Sequence, residues 1–278
     1  MNPLRITVLV ENTAAGRGPM GEHGLSFWIE HAGTHVLFDT GQTDLFAHNA
    51  RVLGIDLSRA NAIVLSHGHY DHTGGLAKAM QIAPQARVFL HPDAMKPKFS
   101  RHADGTVHDV GLPHLTEEKI RRQSGGIVLT LQPVEIAEGL FVTGQITRGN
   151  NFEDTGGEFF RDAACVEPDP LNDDQAVYFR SSKGIVVLLG CAHAGVINTI
   201  DHIRALNDGH SPHALIGGMH LSNASEARTT ATLDAIQSYD DLMLAPAHCT
   251  GTRQEMLLWH RYPRRCRECV VGSQFLFE

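Results

Sequence analysis

The chain has 278 residues, of which 42% are hydrophobic and 19% charged, an ordinary globular balance with enough apolar material for a substantial core. Its 23 basic against 31 acidic residues give a net charge of −8, and no basic run points to a nucleic-acid partner. No apolar stretch reaches the roughly 18 residues of a membrane span, and Met1 to Arg5 lead into Ile6-Thr7-Val8-Leu9-Val10 without the pattern of a signal peptide.

Residues 5 to 10 and Leu25 to His31 read as strands around a Gly-rich loop, Asn12 to Gly24, in which Glu22-His23-Gly24 can lean over a site. His35-Val36-Leu37-Phe38 reads as a buried strand that delivers Asp39-Thr40-Gly41, and Asp39 is expected to orient a ligand imidazole. Thr43 to Leu53 reads as a helix capped by Thr43, with Leu45, Phe46, Val52 and Leu53 as its apolar stripe and Gly54 closing it.

The apolar run Ala62-Ile63-Val64-Leu65 then emits Ser66-His67-Gly68-His69-Tyr70-Asp71-His72-Thr73-Gly74-Gly75. Three imidazoles and a carboxylate at the exit of a buried strand are costly unless a cation compensates them. His67 and His69 are expected to point the same way, and Asp71 and His72 to serve a neighbouring position. That suits two metals in one pocket.

Gly74 to Ile82 reads as a helix, Ala86 to Leu90 as a strand ending in His91, and Lys96 to Arg122 as a polar insertion without a clean period. Ile127 to Leu131 and Leu140 to Thr143 read as paired strands around Pro133. The long loop from Gly144 to Asp174 reads as a lid, with Arg148 and Arg161 as its anion contacts. Ala176 to Arg180 and Ile185 to Leu189 form a hairpin signal, whose second strand leads through Gly190-Cys191-Ala192 to His193 and then to a helix carrying Ile197, Ile200, Ile203 and Leu206. The same strand-then-histidine pattern recurs at His220 and His248, separated by a helix around Ala227 to Gln237. His193 and His248 are the expected ligands, and His220 either a ligand or a catalytic imidazole. Residues 252 to 261 read as a helix and Val270 to Phe277 as an edge strand.

Five scattered cysteines form no disulfide framework, which makes a reducing cytoplasm the expected compartment, and Cys266 and Cys269 read as two ordinary thiols despite their CxxC spacing. Eighteen histidines point toward metal chemistry. A homodimer is the default expectation for oligomeric state.

The HxHxDH stretch, with Phe38-Asp39-Thr40-Gly41 before it, resembles the metallo-β-lactamase fold superfamily of metallohydrolases. Together with Glu22 to Phe27, Gly190 to Gly195, Gly217 to Leu221 and Pro246 to Gly251, it resembles the subgroup that holds the dihydropterin-ribofuranosylaminobenzene-phosphate synthases and many unassigned metal-dependent hydrolases. The resemblance implies an α/β chain folded as one four-layer αββα sandwich over 1–278, two packed mixed sheets with outer helices. It further implies two divalent metal ions, zinc first and manganese or iron as alternatives. His67, His69 and His193 would hold one ion, and Asp71, His72 and His248 the other.

In two respects the sequence departs from this pattern. The hairpin ends in Gly190-Cys191, where the superfamily's hydrolases carry Gly-Asp with a bridging carboxylate. No preceding ligand histidine is visible between 144 and 175; Asp173 or Asp174 is expected in that region, with His193 or His220 as the alternative source of the missing imidazole.

The expected function is hydrolysis of a small phosphoester, diphosphate or lactone-type substrate. Asp71 would orient the nucleophile, and His220 or His23 would protonate the leaving group. The alternatives are a pterin-diphosphate-dependent transferase, for which Phe27, Trp28, Tyr70 and Phe152 are the aromatic candidates, and a non-catalytic metal-binding sensor or partner module.

Overall fold

A computed structural model describes residues 3–113 and 115–278. Among them the strands in chain order are β1 Leu4–Val10, β2 Ser26–His31, β3 Thr34–Phe38, β4 Ala62–Val64, β5 Arg87–Leu90, β6 Phe99–Arg101, β7 Val107–Asp109 and β8 Ile127–Leu129. They continue as β9 Val134–Ala137, β10 Leu140–Val142, β11 Phe159–Phe160, β12 Val177–Ser181, β13 Gly184–Leu189, β14 Pro212–Gly218, β15 Met243–Ala247 and β16 Gln274–Phe277. The helices are α1 Leu45–Val52, α2 Tyr70–Thr73, α3 Leu76–Ile82, α4 Glu117–Gln123, α5 Val196–Ala205, α6 Glu226–Gln237 and α7 Thr252–Arg261.

One sheet runs β16-β1-β2-β3-β4-β5-β8 and a second runs β15-β14-β13-β12-β10-β9. Both are mixed: β3, β4, β5 and β8 are parallel in the first, and β13, β14 and β15 in the second, while the remaining neighbours are antiparallel. The period-2 alternation decides which face each side chain takes. Phe27, Ile29, Val36, Phe38 and Val64 point inward against Val177, Phe179, Val186, Leu188 and Ile216 of the facing sheet. Their neighbours Trp28, Leu37 and Ile63 point outward onto Phe46, Leu76 and Met80, and Tyr178, Val187 and Leu215 point outward onto Ile197, Ile200 and Leu233. Both faces of the central strands are therefore buried, which is why they read as continuous apolar runs. Each such side chain contributes about 1.5–3 kcal/mol on burial. The result is the expected αββα layering.

Several expectations change at the boundaries. Ile127–Leu129 does not pair with Leu140–Val142. It lies parallel to β5 at the edge of the first sheet, whereas Leu140–Val142 sits between β9 and β12 in the second, because the chain crosses between sheets around Pro133. Asp44 takes the N-cap position of α1 without a side-chain cap bond. Thr43 Oγ1 still accepts from Leu45 N at 3.2 Å, and Val52 is 41% exposed instead of packed. The C-terminal strand is shorter than expected, Gln274–Phe277, and pairs with β1 at the sheet edge.

The polar insertion and the long loop meet. β11 pairs with β6, and β6 with β7, in a small three-stranded sheet. Its anchor is Lys98, fully buried, which donates to Asp169 Oδ2 at 2.9 Å and Asp173 Oδ1 at 2.8 Å, while Asp173 Oδ2 accepts from Gly68 N at 2.8 Å. Arg161 pairs with Asp93 at 3.0 Å, and Arg148 donates to the Pro170 carbonyl at 2.6 Å. Both arginines are thus engaged in holding the loop instead of meeting a substrate anion.

Burial opposes charge on Asp169 and on Lys98, but their mutual attraction outweighs it. Asp169 is held below the usual carboxylate range and Lys98 above its ordinary value. The stabilisation is therefore present in the neutral range, lost as pH falls through the depressed carboxyl value, and lost again as pH rises through that of the raised ammonium. Replacing Lys98 by Met leaves buried Asp173 without a cation and Asp169 with only Arg161, 3.5 Å away, and is expected to cost about 3–5 kcal/mol in urea unfolding at neutral pH. That loss should shrink in acid. An unchanged stability at neutral pH would show that the pair does not hold the loop.

Candidate metal centre

The exits of β3, β4, β13, β14 and β15 all open at one end of the sandwich, and each carries a polar residue into the same space. Asp39, Ala192, His220 and His248 sit there at φ values of 58°, 55°, 46° and 53°. Each non-glycine residue in this region costs on the order of 1 kcal/mol, which the packed strands on either side must sustain. The left-handed residue turns the chain sharply at the strand end. Gly68, between His67 and His69, has a different constraint: a Cβ there would meet the Ala94 carbonyl at 2.2 Å.

His67, His69 and His193 bring one ring nitrogen each to within 4.8 Å of one another. His67 Nε2 lies 3.0 Å from His69 Nδ1. Beside them, Asp71 Oδ2 is 3.2 Å from His248 Nε2 and 3.8 Å from His72 Nε2, and those two nitrogens are 3.3 Å apart. All six residues proposed from the sequence as ligands are therefore gathered into two adjoining triads. His220 lies alongside, its ring centroid 4.2 Å from that of His193 and its Nε2 3.3 Å from the Gly156 carbonyl.

Four of the five imidazoles are oriented by a partner outside the triads. His72 Nδ1 donates to Asp39 Oδ2 at 2.7 Å, His248 Nδ1 to Asn12 Oδ1 at 2.9 Å, and His193 Nδ1 to the Thr155 carbonyl at 2.9 Å. His67 Nδ1 donates to Ser66 Oγ at 2.9 Å, which passes its own proton to Asp39 Oδ2 at 2.7 Å. This leaves Nε2 of these four rings on the side that the two triads share.

The two triads differ electrostatically. Burial, reinforced by neighbouring imidazoles, holds His67 and His193 well below the ordinary histidine value, and burial brings His69 to about 4. Burial opposes charge on His72 as well, yet the carboxylates of Asp71 and Asp39 outweigh it and raise that ring to about 9. The first triad is thus neutral imidazole, as metal ligation requires. The second attracts positive charge, whether proton or metal.

These residues fit a metal on grounds of their own. His69 Nε2 and His193 Nε2 are buried and have no hydrogen-bond partner among the described residues, and the donors are the mixed imidazole and carboxylate set that zinc, manganese and iron accept. Cys191, where a bridging carboxylate was expected, places its sulfur 3.0 Å from His72 Nε2, and burial pushes its thiol up.

A cleft of about 750 Å³ opens over the triads, bounded by Asn12, His23, Tyr70, Arg101, Phe159 and Asn223 among others. His23, from the Gly-rich loop, reaches Asp71 Oδ2 at 3.2 Å, as the loop's position suggested. Other expectations fail. Phe27 and Trp28 lie in the hydrophobic cores, Phe152 packs against the outer core of the second sheet, and His91 is a buried cap whose Nδ1 accepts from Asp93 N at 3.1 Å. Asp173 is bound to Lys98 and Gly68, and Asp174 accepts from Ala194 N at 2.7 Å, so neither substitutes for a ligand histidine. The aromatic wall is instead Tyr70 with Phe159, whose ring lies 5.0 Å from His69 and 5.2 Å from His193. Nothing in the periodicity of its loop marked Phe159. Asn12 and Thr155 were equally invisible, because their roles come from contacts far apart in sequence.

Comparison with known proteins agrees with this architecture. The chain is 28% identical over 285 residues to the 7,8-dihydropterin-6-methyl-4-(beta-D-ribofuranosyl)-aminobenzene-5'-phosphate synthase of Methanocaldococcus jannaschii, covering 99% of this chain and 97% of that one. An uncharacterized protein of the same organism is 29% identical over 247 residues, covering 88% and 90%. Among solved structures, Tm1679, described as a metal-dependent hydrolase of the beta-lactamase superfamily, superposes with a TM-score of 0.82 at 29% identity, covering 98% of each chain. The family model of the metallo-beta-lactamase superfamily matches residues 20–248, and the chain belongs to that superfamily.

Proposed function

We propose that the protein is a dinuclear metallohydrolase of small phosphoester or diphosphate substrates, built as one domain over residues 1–278. His67, His69 and His193 hold one divalent ion, and Asp71, His72 and His248 hold the other. The observation that carries this reading is the convergence of the two triads at one end of the sandwich, with the rings of His67, His72, His193 and His248 each held by a partner outside the triads. Zinc is the first choice of metal, with manganese and iron suiting the same donors. Divalent ions, when bound, polarise a phosphoryl or carbonyl oxygen and supply a nucleophile from water at neutral pH.

The chain's own groups do the rest. Asp71, buried between His23 and His248, keeps its second oxygen free to orient the attacking water. His220 and His23 both line the cleft, and either can pass a proton to a departing oxygen. Tyr70 and Phe159 offer a planar organic group its walls, and the three-stranded sheet limits access of bulk water. A lactone remains within the same chemistry. The cytoplasm is the proposed compartment, consistent with the free thiols.

The second reading is a transferase that displaces diphosphate from a pterin, favoured by the synthase similar to nearly the whole chain. Pyrophosphate release from a pterin diphosphate only in the presence of an aminobenzene acceptor would select it over hydrolysis.

Metal analysis of protein purified without added metal or chelator should give two equivalents per chain, with turnover of a generic phosphodiester. One or none, without turnover after zinc or manganese is restored, would overturn the dinuclear reading. Asp71→Asn should lower turnover by about 10²–10⁴-fold, well beyond its effect on stability. Equal loss of both would remove Asp71 from the chemistry. Asp39→Asn keeps the side-chain volume but loses an acceptor for the Ser66 and His72 donors, and should weaken metal affinity by about 10–100-fold as read by competition with a chelator.

A further inference from the structure

A pair of thiols stands inside the same end of the sandwich beside the two triads, with Cys191 Sγ 3.0 Å from His72 Nε2. Cys191 leaves β13 and Cys249 follows the exit of β15, with β14 between them in the sheet. Gly218 ends β14 and makes their approach feasible, since a Cβ on it would lie 2.6 Å from Cys249 Sγ and 2.3 Å from the Gly190 carbonyl. The Cys249 thiol donates to the Cys191 carbonyl at 3.6 Å. Both sulfurs and a ring nitrogen of His248 lie within 4.8 Å of one another, and both cysteines line the cleft, so a small ion can reach them. No disulfide joins them, and Cys165, Cys266 and Cys269 lie outside the cleft lining.

Two thiols and an imidazole are the donors of a thiophilic metal, while the carboxylate and imidazoles of Asp71, His72 and His248 suit a harder one. The two sets meet at His248. Its Nδ1 is committed to Asn12, so Nε2 is its one free donor and can serve only one ion at a time.

We propose that Cys191, Cys249 and His248 form a soft-metal site that competes with the Asp71, His72 and His248 set for the shared imidazole, so that the identity of the metal decides which set is filled. The competition rests on the ligand reading of the second triad, whereas the sulfur site stands on its own geometry. A thiophilic ion drawn onto the sulfurs leaves Asp71 and His72 without their third ligand. A hard ion leaves both sulfurs outside its ligand set. Binding at the sulfurs releases the thiol protons to solvent.

The test is titration of the metal-free full-length chain with Cd²⁺, followed by thiolate-to-metal charge-transfer absorption in the ultraviolet. Parallel Mn²⁺ binding is followed by electron paramagnetic resonance. The expected result is a charge-transfer band in the wild-type chain that weakens in Cys249→Ser, with Cd²⁺ affinity falling by about tenfold or more, while Cys266→Ser leaves the band unchanged. Mn²⁺ binding persists in Cys249→Ser, which also shows that the variant is folded, and Cd²⁺ displaces Mn²⁺ from the wild-type chain. A Cd²⁺ band of equal strength and affinity in wild type and Cys249→Ser would overturn the sulfur site. A sulfur band without any Mn²⁺ binding would keep that site and remove the second triad instead, and with it the competition.

Discussion

The carboxylate of Asp39 is the constraint from which the site is built. It is fully buried, sits at the exit of β3 in a left-handed conformation, and accepts from Ser66 N, Ser66 Oγ and His72 Nδ1, each at 2.7 Å. A buried carboxylate is tolerable only with its oxygens satisfied, and these donors come from the neighbouring parallel strand exit. One side chain therefore fixes the turn after β4, the ring plane of His72 and, through the Ser66 hydroxyl, that of His67. The order of β3 and β4 in the sheet is what makes this single group reach both.

The same economy appears in the second half of the chain. Glu153, in the long loop, accepts from Ile197 N at 2.9 Å and Asn198 N at 2.8 Å, so it caps α5 just beyond His193. The carbonyl of Thr155, two residues on, receives His193 Nδ1. Acidic groups at a helix N-terminus meet both the free amides and the positive end of the helix dipole. The loop is thereby tied to the helix that carries the histidine, and its next residues, Gly156 to Phe159, are delivered to the cleft wall.

Where chemistry and geometry are local, the sequence was legible. HxHxDH after an apolar strand specified four residues of the candidate centre within six positions, and three later strands each announced a histidine at their exit. The placing of Asp39 as an orienting group also follows from its position one residue past β3. What escaped depends on partners brought together only by the fold. Asn12 meets His248 across 236 positions, Lys98 meets Asp173 across 75, and no periodicity foretells either. The strands of the lid have two or three residues each, too short to carry an alternation. Arg148 and Arg161 misled for the same reason: a loop arginine looks free in sequence, while here Arg148 is held by the loop's own Pro170 carbonyl and Arg161 by Asp93 beyond β5. Ile127–Leu129 was assigned to the wrong neighbour because a short apolar strand gives no sign of which sheet receives it.

The asymmetry between the triads bears on the order in which the proposed ions arrive. His67, His69 and His193 form a neutral set in which burial disfavours any added charge unless it is fully ligated. The neighbouring set contains Asp71 and is backed by Asp39, and the rise of His72 to about 9 shows the attraction for positive charge there. A first cation would therefore gain more from the carboxylate side. Its charge then opposes a second cation a few ångströms away, with no carboxylate at position 191 to offset the repulsion.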